Sequence, residues 1–309
     1  MIVNNIFVTG YSLDIIGTSL YSEFDGALDK LDDFICETPI YNNVEVCSDF
    51  LTYKFGVETL QDLLYEIAEY SDPLYTEMLK ELNHVIKGNK AGTDTEVALS
   101  SSGLGLAWKG GFIGYYSQGK IIPTVDVQLI IDDSSALAEL NYRNLEDFPI
   151  NEKSFSDRSK LIFNNINFHK DFASTLSTVK SGDFKLYSVE FTRAMKTLHN
   201  AFPKLTNKGH NPPDLITIRD ESHKAGRTMD CTVQGKNKKY LCDKDFEVDT
   251  LDGSIHKLSN LNCEFHLKVN YDNSGKKLAG KFYNRAYFGL PLIKGKKYIA
   301  LLHLGKHYD

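Results

Sequence analysis

Asn207-Lys208-Gly209-His210-Asn211-Pro212-Pro213 divides the chain. Two prolines, a glycine and two asparagines in seven residues favour turns and interrupt regular structure, and Pro203 stands just ahead of them. Before this stretch apolar residues recur at helical spacing. After it they come in short runs separated by turn residues. The reading is an α+β chain of 309 residues. An acidic, mainly helical N-terminal part with some strands covers residues 1–203, and a basic, antiparallel β-rich C-terminal domain covers residues 214–309, with the boundary near residues 203 to 213.

Working upstream, Glu58 to Tyr70 places Leu60, Leu63, Leu64 and Ile67 on one helical face. Ser71-Asp72-Pro73 supplies an N-cap and a proline for the first position of a second helix, which runs to about Lys87. Its buried face is expected to hold Leu74, Met78, Leu82 and Val85. Further helices are predicted over Gly26–Glu37, Phe155–Asn165 and Val189–Phe202, and a strand over Val125–Ile131. Residues 100–119 hold Gly103, Gly105, Gly110 and Gly111 but match neither GxxxxGK[ST] nor GxGxxG, so they read as a hairpin turn rather than a nucleotide loop.

Working downstream, strands are predicted at Leu215–Ile218, Thr228–Val233, Lys239–Cys242, Cys263–Tyr271, Lys281–Phe288 and Tyr298–Leu304. Turns fall at Asp252-Gly253, Asn273-Ser274-Gly275 and Lys294-Gly295.

Charge follows the same division. From Lys196 to Asp309 there are 20 Lys+Arg against 12 Asp+Glu, a net of +8, and the other 195 residues hold 15 against 29, a net of −14. Such asymmetry points to a polyanion partner for the basic part and leaves the acidic part free to engage a protein partner. Five cysteines without a CxxC pair argue against a disulfide framework and a structural zinc site. No basic segment precedes the apolar residues at the N-terminus, and no run of eighteen apolar residues occurs. The expectation is a cytoplasmic protein without a membrane segment.

The residues that could carry chemistry lie in the last three strands. Strict alternation puts Phe265, Leu267 and Val269 on one face and Glu264, His266, Lys268 and Asn270 on the other. The same rule groups Tyr283, Arg285 and Tyr287, while His303 stands in an otherwise apolar strand that runs into Lys306 and His307. RNA cleavage without a metal needs a base, an acid and cations for the phosphorane charge. Histidine serves as base or acid near neutral pH, and Arg and Lys supply the charge. His303, His307, Arg285 and His266 are therefore the candidate catalytic residues. Lys268, Lys306, Tyr283 and Tyr287 are the candidate nucleic-acid-binding residues, since tyrosines among cations stack unpaired bases. Neither a metal nor a cofactor is called for.

Arg285-Ala286-Tyr287-Phe288, followed by Gly295-Lys296-Lys297-Tyr298-Ile299-Ala300-Leu301-Leu302-His303-Leu304-Gly305-Lys306-His307, resembles the closing strands of RelE/HigB-type mRNA endonuclease toxins over about twenty-five residues. The resemblance implies a compact antiparallel sheet with Arg285, His303, Lys306 and His307 near the scissile phosphate. It favours a toxin-like or defence-type endoribonuclease of a prokaryotic cytosol. Two alternatives stay open. One is a non-catalytic binding or sensing module for nucleic acid, another polyanion or a protein. The other is an Mg²⁺-dependent DNA nuclease built on Glu247, Asp249, Glu264 and Lys268.

Overall fold

The computed structural model describes the chain except residues 1, 14–20, 56–57, 69–71, 87–91, 103–111, 119–121, 123, 236–239 and 309. It is a mixed α+β protein with its strands concentrated in the C-terminal half. Two compact units divide it, Met1–Asn144 and Leu145–Asp309. The division falls inside a helix, not near residues 203 to 213. The Asn207–Pro213 stretch instead joins two helices of the second unit, because Pro212 and Pro213 occupy the first helical positions, where a missing N–H costs nothing. Among the described residues no helix is long and apolar enough to cross a membrane.

The first unit holds a four-stranded parallel sheet. Its strands are β1 (Asn4–Val8), β2 (Asn42–Val46), β3 (Ile113–Tyr116) and β4 (Ile130–Ile131), in the order β2-β1-β3-β4. Its helices are α1 (Tyr21–Glu37), α2 (Leu60–Ile67), α3 (Asp72–Val85) and α4 (Thr95–Ser102), and α5 (Ser134–Asp147) spans the division between units. Both faces of the sheet are buried, as parallel sheets require. Ile6, Val8 and Ile131 pack with the apolar residues of α1, α2, α3 and α5, and Phe7, Ile113, Tyr115 and Ile130 pack with Ala98 of α4. A Cβ on Gly114 would lie 2.7 Å from both Ile131 Cδ1 and Leu140 Cδ2, so β3 needs glycine there for α5 to seat. Asparagines tie α5 to the sheet: Asn4 Nδ2 donates to Asn141 Oδ1 (2.6 Å), and Asn144 Nδ2 donates to the Val3 carbonyl (2.7 Å).

The expected helices over residues 26–37, 58–70 and 73–87 are present within a few residues. The expected strand Val125–Ile131 is mostly absent. Asp126 caps a 3₁₀ turn at Val127–Leu129 by accepting from the Gln128 N–H (2.9 Å), and only Ile130–Ile131 pairs. Of the expected hairpin at 100–119, residues 103–111 lie outside the described residues, and Ile113–Tyr116 pairs in parallel.

In the second unit, α6 (Glu152–Ile162), β5 (Ile166–Phe168), α7 (Phe172–Leu176), α8 (Ser188–Ala201) and α9 (Pro212–Lys224) precede the remaining strands. The longer of these are β6 (Cys231–Val233), β7 (Lys244–Asp249), β8 (Ile255–Leu261), β9 (Phe265–Val269), β10 (Asn284–Gly289) and β11 (Ile299–Lys306), and a two-residue pair, Leu292–Ile293 with Lys296–Lys297, closes the turn between the last two. A five-stranded sheet has the order β5-β11-β10-β9-β6, antiparallel except where β5 meets β11, and β7 with β8 forms a separate hairpin. The expected strand Leu215–Ile218 is the middle of α9. Of its four residues only Ile218 is buried, and Ile216 is exposed. Tyr240–Cys242 is a turn rather than a strand, and Lys239 lies outside the described residues.

Candidate nucleic-acid interface

The sheet register decides which side chains meet. His266 of β9 stands opposite Tyr287 of β10, and Tyr287 stands opposite His303 of β11. Lys268 pairs in the same way with Arg285, and Arg285 with Gly305. Between Phe288↔Leu301 and Tyr287↔His303 the register slips, leaving Leu302 as the extra residue of a β-bulge. That bulge turns His303 toward Tyr287, the re-aiming such irregularities provide. The sequence-predicted set is therefore assembled: ring centroids are 5.2 Å apart for His266–Tyr287 and 5.8 Å for Tyr287–His303.

The set is closed over. His303 is 2 % exposed, His266 4 %, Arg285 5 %, and Tyr287 is fully buried. Tyr308, which the strand pattern did not single out, folds back across it. Its backbone N–H donates to Tyr287 Oη (3.2 Å), its hydroxyl meets His303 Nδ1 (3.3 Å), and its carbonyl accepts from Gln234 Nε2 (2.8 Å). Tyr240 stacks on its outer side at 5.7 Å. His303 Nε2 lies 3.1 Å from the Lys306 carbonyl, which can only accept, so Nε2 carries the proton and Nδ1 accepts from Tyr308. His266 Nε2 contacts Thr232 Oγ1 at 3.0 Å. Arg285 donates to Asn270 Oδ1 (2.8 Å) and stands over the Tyr283 ring at 5.3 Å. His307 is half-buried, 6.4 Å from His266 between ring centroids, and its N–H donates to the Tyr283 carbonyl. Lys306 reaches over the Tyr308 ring, and Lys268 pairs with Asp230 at 3.3 Å.

Electrostatics follow from that burial. Desolvation, with the Arg285 guanidinium second, pushes His266 down to about 4, and desolvation pushes His303 down to about 4. Both imidazoles are neutral at pH 7. A neutral imidazole with so low a pKa has no proton to give and is also a weak base, so burial disfavours both proton-transfer roles on this closed face. The acids of the metal-dependent alternative do not converge either. Glu247 and Asp249 sit on the β7–β8 hairpin, whereas Glu264 and Lys268 belong to the five-stranded sheet and its entry. Among the described residues no group of three His, Cys, Asp or Glu could hold a metal ion. All five cysteines are free, and burial pushes the Cys47, Cys231 and Cys263 thiols up to about 12.

Outside the closed face, the connection from β9 to β10 builds an open surface that alternation could not reveal. Asn273 pins it to the start of α8: Nδ2 donates to the Lys185 carbonyl (2.8 Å), and Oδ1 accepts from the Val189 N–H (3.0 Å). Asp272 is spent inside its own turn, accepting from Ser274 Oγ (2.6 Å) and the Lys276 N–H (3.0 Å). On this fixed loop Lys276, Lys277 and Lys281 are exposed, and with Leu186 and Phe282 the first two line a cavity of about 600 Å³. Cations also sit over two rings of this loop, Arg227 on Tyr271 at 4.1 Å and Lys281 on Phe282 at 4.9 Å. Cations interleaved with half-exposed rings can hold phosphates and stack bases at once. The composition signal for it, Lys276-Lys277 followed by Lys281-Phe282, was legible in the sequence but lies between strands.

No family model matches the chain, and neither a curated protein nor a solved structure does.

Proposed function

We propose that the second unit is a binding module for single-stranded nucleic acid, and that the loop from Asn270 to Tyr283 is its contact surface. The observation that carries the reading is the pinned loop, on which Lys276, Lys277 and Phe282 line an open cavity and Lys281 sits over the Phe282 ring. The +8 charge of the unit supports it, because phosphate contacts supply the sequence-independent part of nucleic-acid affinity. The endoribonuclease reading stands second. What favours it is the register that joins His266, Tyr287 and His303, together with the resemblance of residues 285–307 to RelE/HigB-type toxins. It requires Tyr308 to leave the face it covers.

The test is fluorescence anisotropy of a labelled single-stranded RNA, and the matching DNA, titrated with full-length protein at several salt concentrations. A Lys276→Ala/Lys277→Ala/Lys281→Ala variant is expected to weaken binding at least about tenfold and to flatten the salt slope by two to three, roughly one per lost phosphate contact. Phe282→Ala is expected to cost about 1–3 kcal/mol through lost stacking. Unchanged affinity in the triple variant would move the interface elsewhere. Running the same samples on a denaturing gel, with and without EDTA, decides between the readings: intact RNA fits a binding module, and EDTA-resistant fragments lost in His303→Ala fit the nuclease.

A further inference from the structure

The second unit leaves two strand edges facing one another without a ladder between them. β5 is an outer strand of the five-stranded sheet, and β7 belongs to the separate hairpin. The His169 N–H donates to the Leu301 carbonyl of β11 (3.0 Å). Main-chain groups alternate in direction along a strand, so those of Phe168 point the other way, off the edge of the sheet. In the hairpin the Thr250 N–H donates to the Ser254 carbonyl (2.9 Å), so the groups of Asp249 and Glu247 point away from β8. The Asp249 N–H accordingly meets Asn167 Oδ1 across the gap (2.7 Å). Beside that bridge opens a cavity of about 830 Å³, lined on one side by Ile166, Phe168 and His169 and on the other by Phe246, Ile255 and Leu258.

The two walls of this cavity carry opposite charge. Lys160 and Lys170 stand on the β5 side, exposed, and neither makes an ion pair among the described residues. His169 joins them. Its side chain is only 11 % exposed, and Nδ1 accepts from the Asp171 N–H (3.2 Å). Burial holds its pKa below the ordinary value, so the ring is neutral at pH 7 and its proton sits on Nε2. That N–H meets no acceptor among the described residues, and a nearly buried donor calls for one. On the hairpin side Asp245, Glu247 and Asp249 alternate onto one face of β7. Lys257 pairs with Glu247 (3.3 Å), which leaves two carboxylates without a cation among the described residues.

We propose that this gap binds a short zwitterionic peptide of two or three apolar residues. Its carboxylate takes the donors of His169, Lys160 and Lys170, and its ammonium goes to Asp245 and Asp249. Its side chains cover Phe168, Phe246 and Ile255. Its main chain runs along the open edge of β5 and pairs with Phe168, as an added strand does at a sheet edge. The volume lies towards the upper end of ligand cavities, more than one amino acid fills. The acidic wall opposes nucleotides and other anions. The site shares no residue with the Asn270–Tyr283 loop and does not rest on the nucleic-acid reading.

Isothermal titration of the full-length protein with the peptide Leu-Phe-Leu, its N-acetyl form, its C-terminal amide and free leucine tests the proposal. The free peptide is expected to bind with Kd below about 1 mM, and the other three at least about tenfold more weakly. Lys160→Ala/Lys170→Ala should weaken the free peptide about tenfold and leave the amide unchanged. Asp245→Asn/Asp249→Asn should weaken the free peptide about tenfold and leave the acetylated form unchanged. All four residues are exposed, so melting temperatures should match the wild type. No saturable binding of the free peptide below about 1 mM overturns the proposal. So does a blocked peptide or leucine that binds as tightly as the free peptide. Equal response of blocked and free peptides to either pair of substitutions also overturns it, since those charges would then not read the peptide's ends.

Discussion

His303 and His266 are imidazoles that the fold keeps uncharged, and their cost appears in acid. Each has its pKa lowered from the ordinary 6.5 to about 4. Between those values the unfolded chain takes up protons that the folded chain refuses, so stability falls as pH drops from about 6.5 towards 4 and is untouched above that window. The loss is at most roughly 3 kcal/mol per histidine. Urea unfolding midpoints at pH 7 and pH 5 should therefore lie closer together for His303→Gln than for the wild type. An equal spread would mean that His303 titrates normally behind Tyr308. The same two histidines show what side-chain chemistry could reveal in advance. Their residue types marked them as acid–base candidates, but type says nothing of burial, and burial is what removed the acid.

At the scale of elements, alternation was a sound guide within each strand and silent between strands. It placed His266 with Lys268, and Tyr283 with Arg285 and Tyr287. It could not show the bulge at Leu302, because a bulge is a property of two paired strands. It also misread Leu215–Ile218, where a branched run followed two prolines that in fact open α9. That helix is anchored by a fully buried ion pair: Asp214 in its first turn binds Lys297, whose ammonium also donates to the His210 carbonyl (2.9 Å). Asp214 further accepts from the Thr206 N–H (2.6 Å). Removing one partner strands the other charge, so Asp214→Ala should cost about 3–5 kcal/mol. Asp214→Leu/Lys297→Met should recover most of it. Chemical denaturation of the three proteins checks this, and a double variant no better than the single would show that the pair itself, rather than charge balance, holds α9.

Across the whole molecule, charge and compactness share one boundary. Leu145–Asp309 carries 27 Lys+Arg against 19 Asp+Glu, a net of +8, while the first unit carries the −14. Residues 145–195 are balanced at 7 to 7, which is why a count taken from Lys196 gives the same charges as the two compact units. Residues 145–309 expressed alone should retain single-strand binding with an unchanged salt slope, and residues 1–144 should show none. Binding that followed the acidic fragment instead would reverse the assignment. The parallel sheet of the first unit was the least legible part of the fold. Its strands are short, and β1 begins with two asparagines whose side chains are buried by bonding to other asparagines, a pattern that hydropathy scores as surface.

The pairing of β5 with β11 also sets an order of events in the making of the protein. Ile166 takes its place beside Ile299, a partner 133 positions later, and β11 lies between β5 and β10 in the sheet. A growing chain can close the first unit's sheet once Ile131 has appeared, yet in the second β5 has no strand to pair with until Ile299–Lys306 has been synthesised. During that interval its apolar strands are open to chaperones, proteases and neighbouring nascent chains. Slowing synthesis between Phe168 and Ile299 therefore lengthens the time for which the β5 edge stands unpaired.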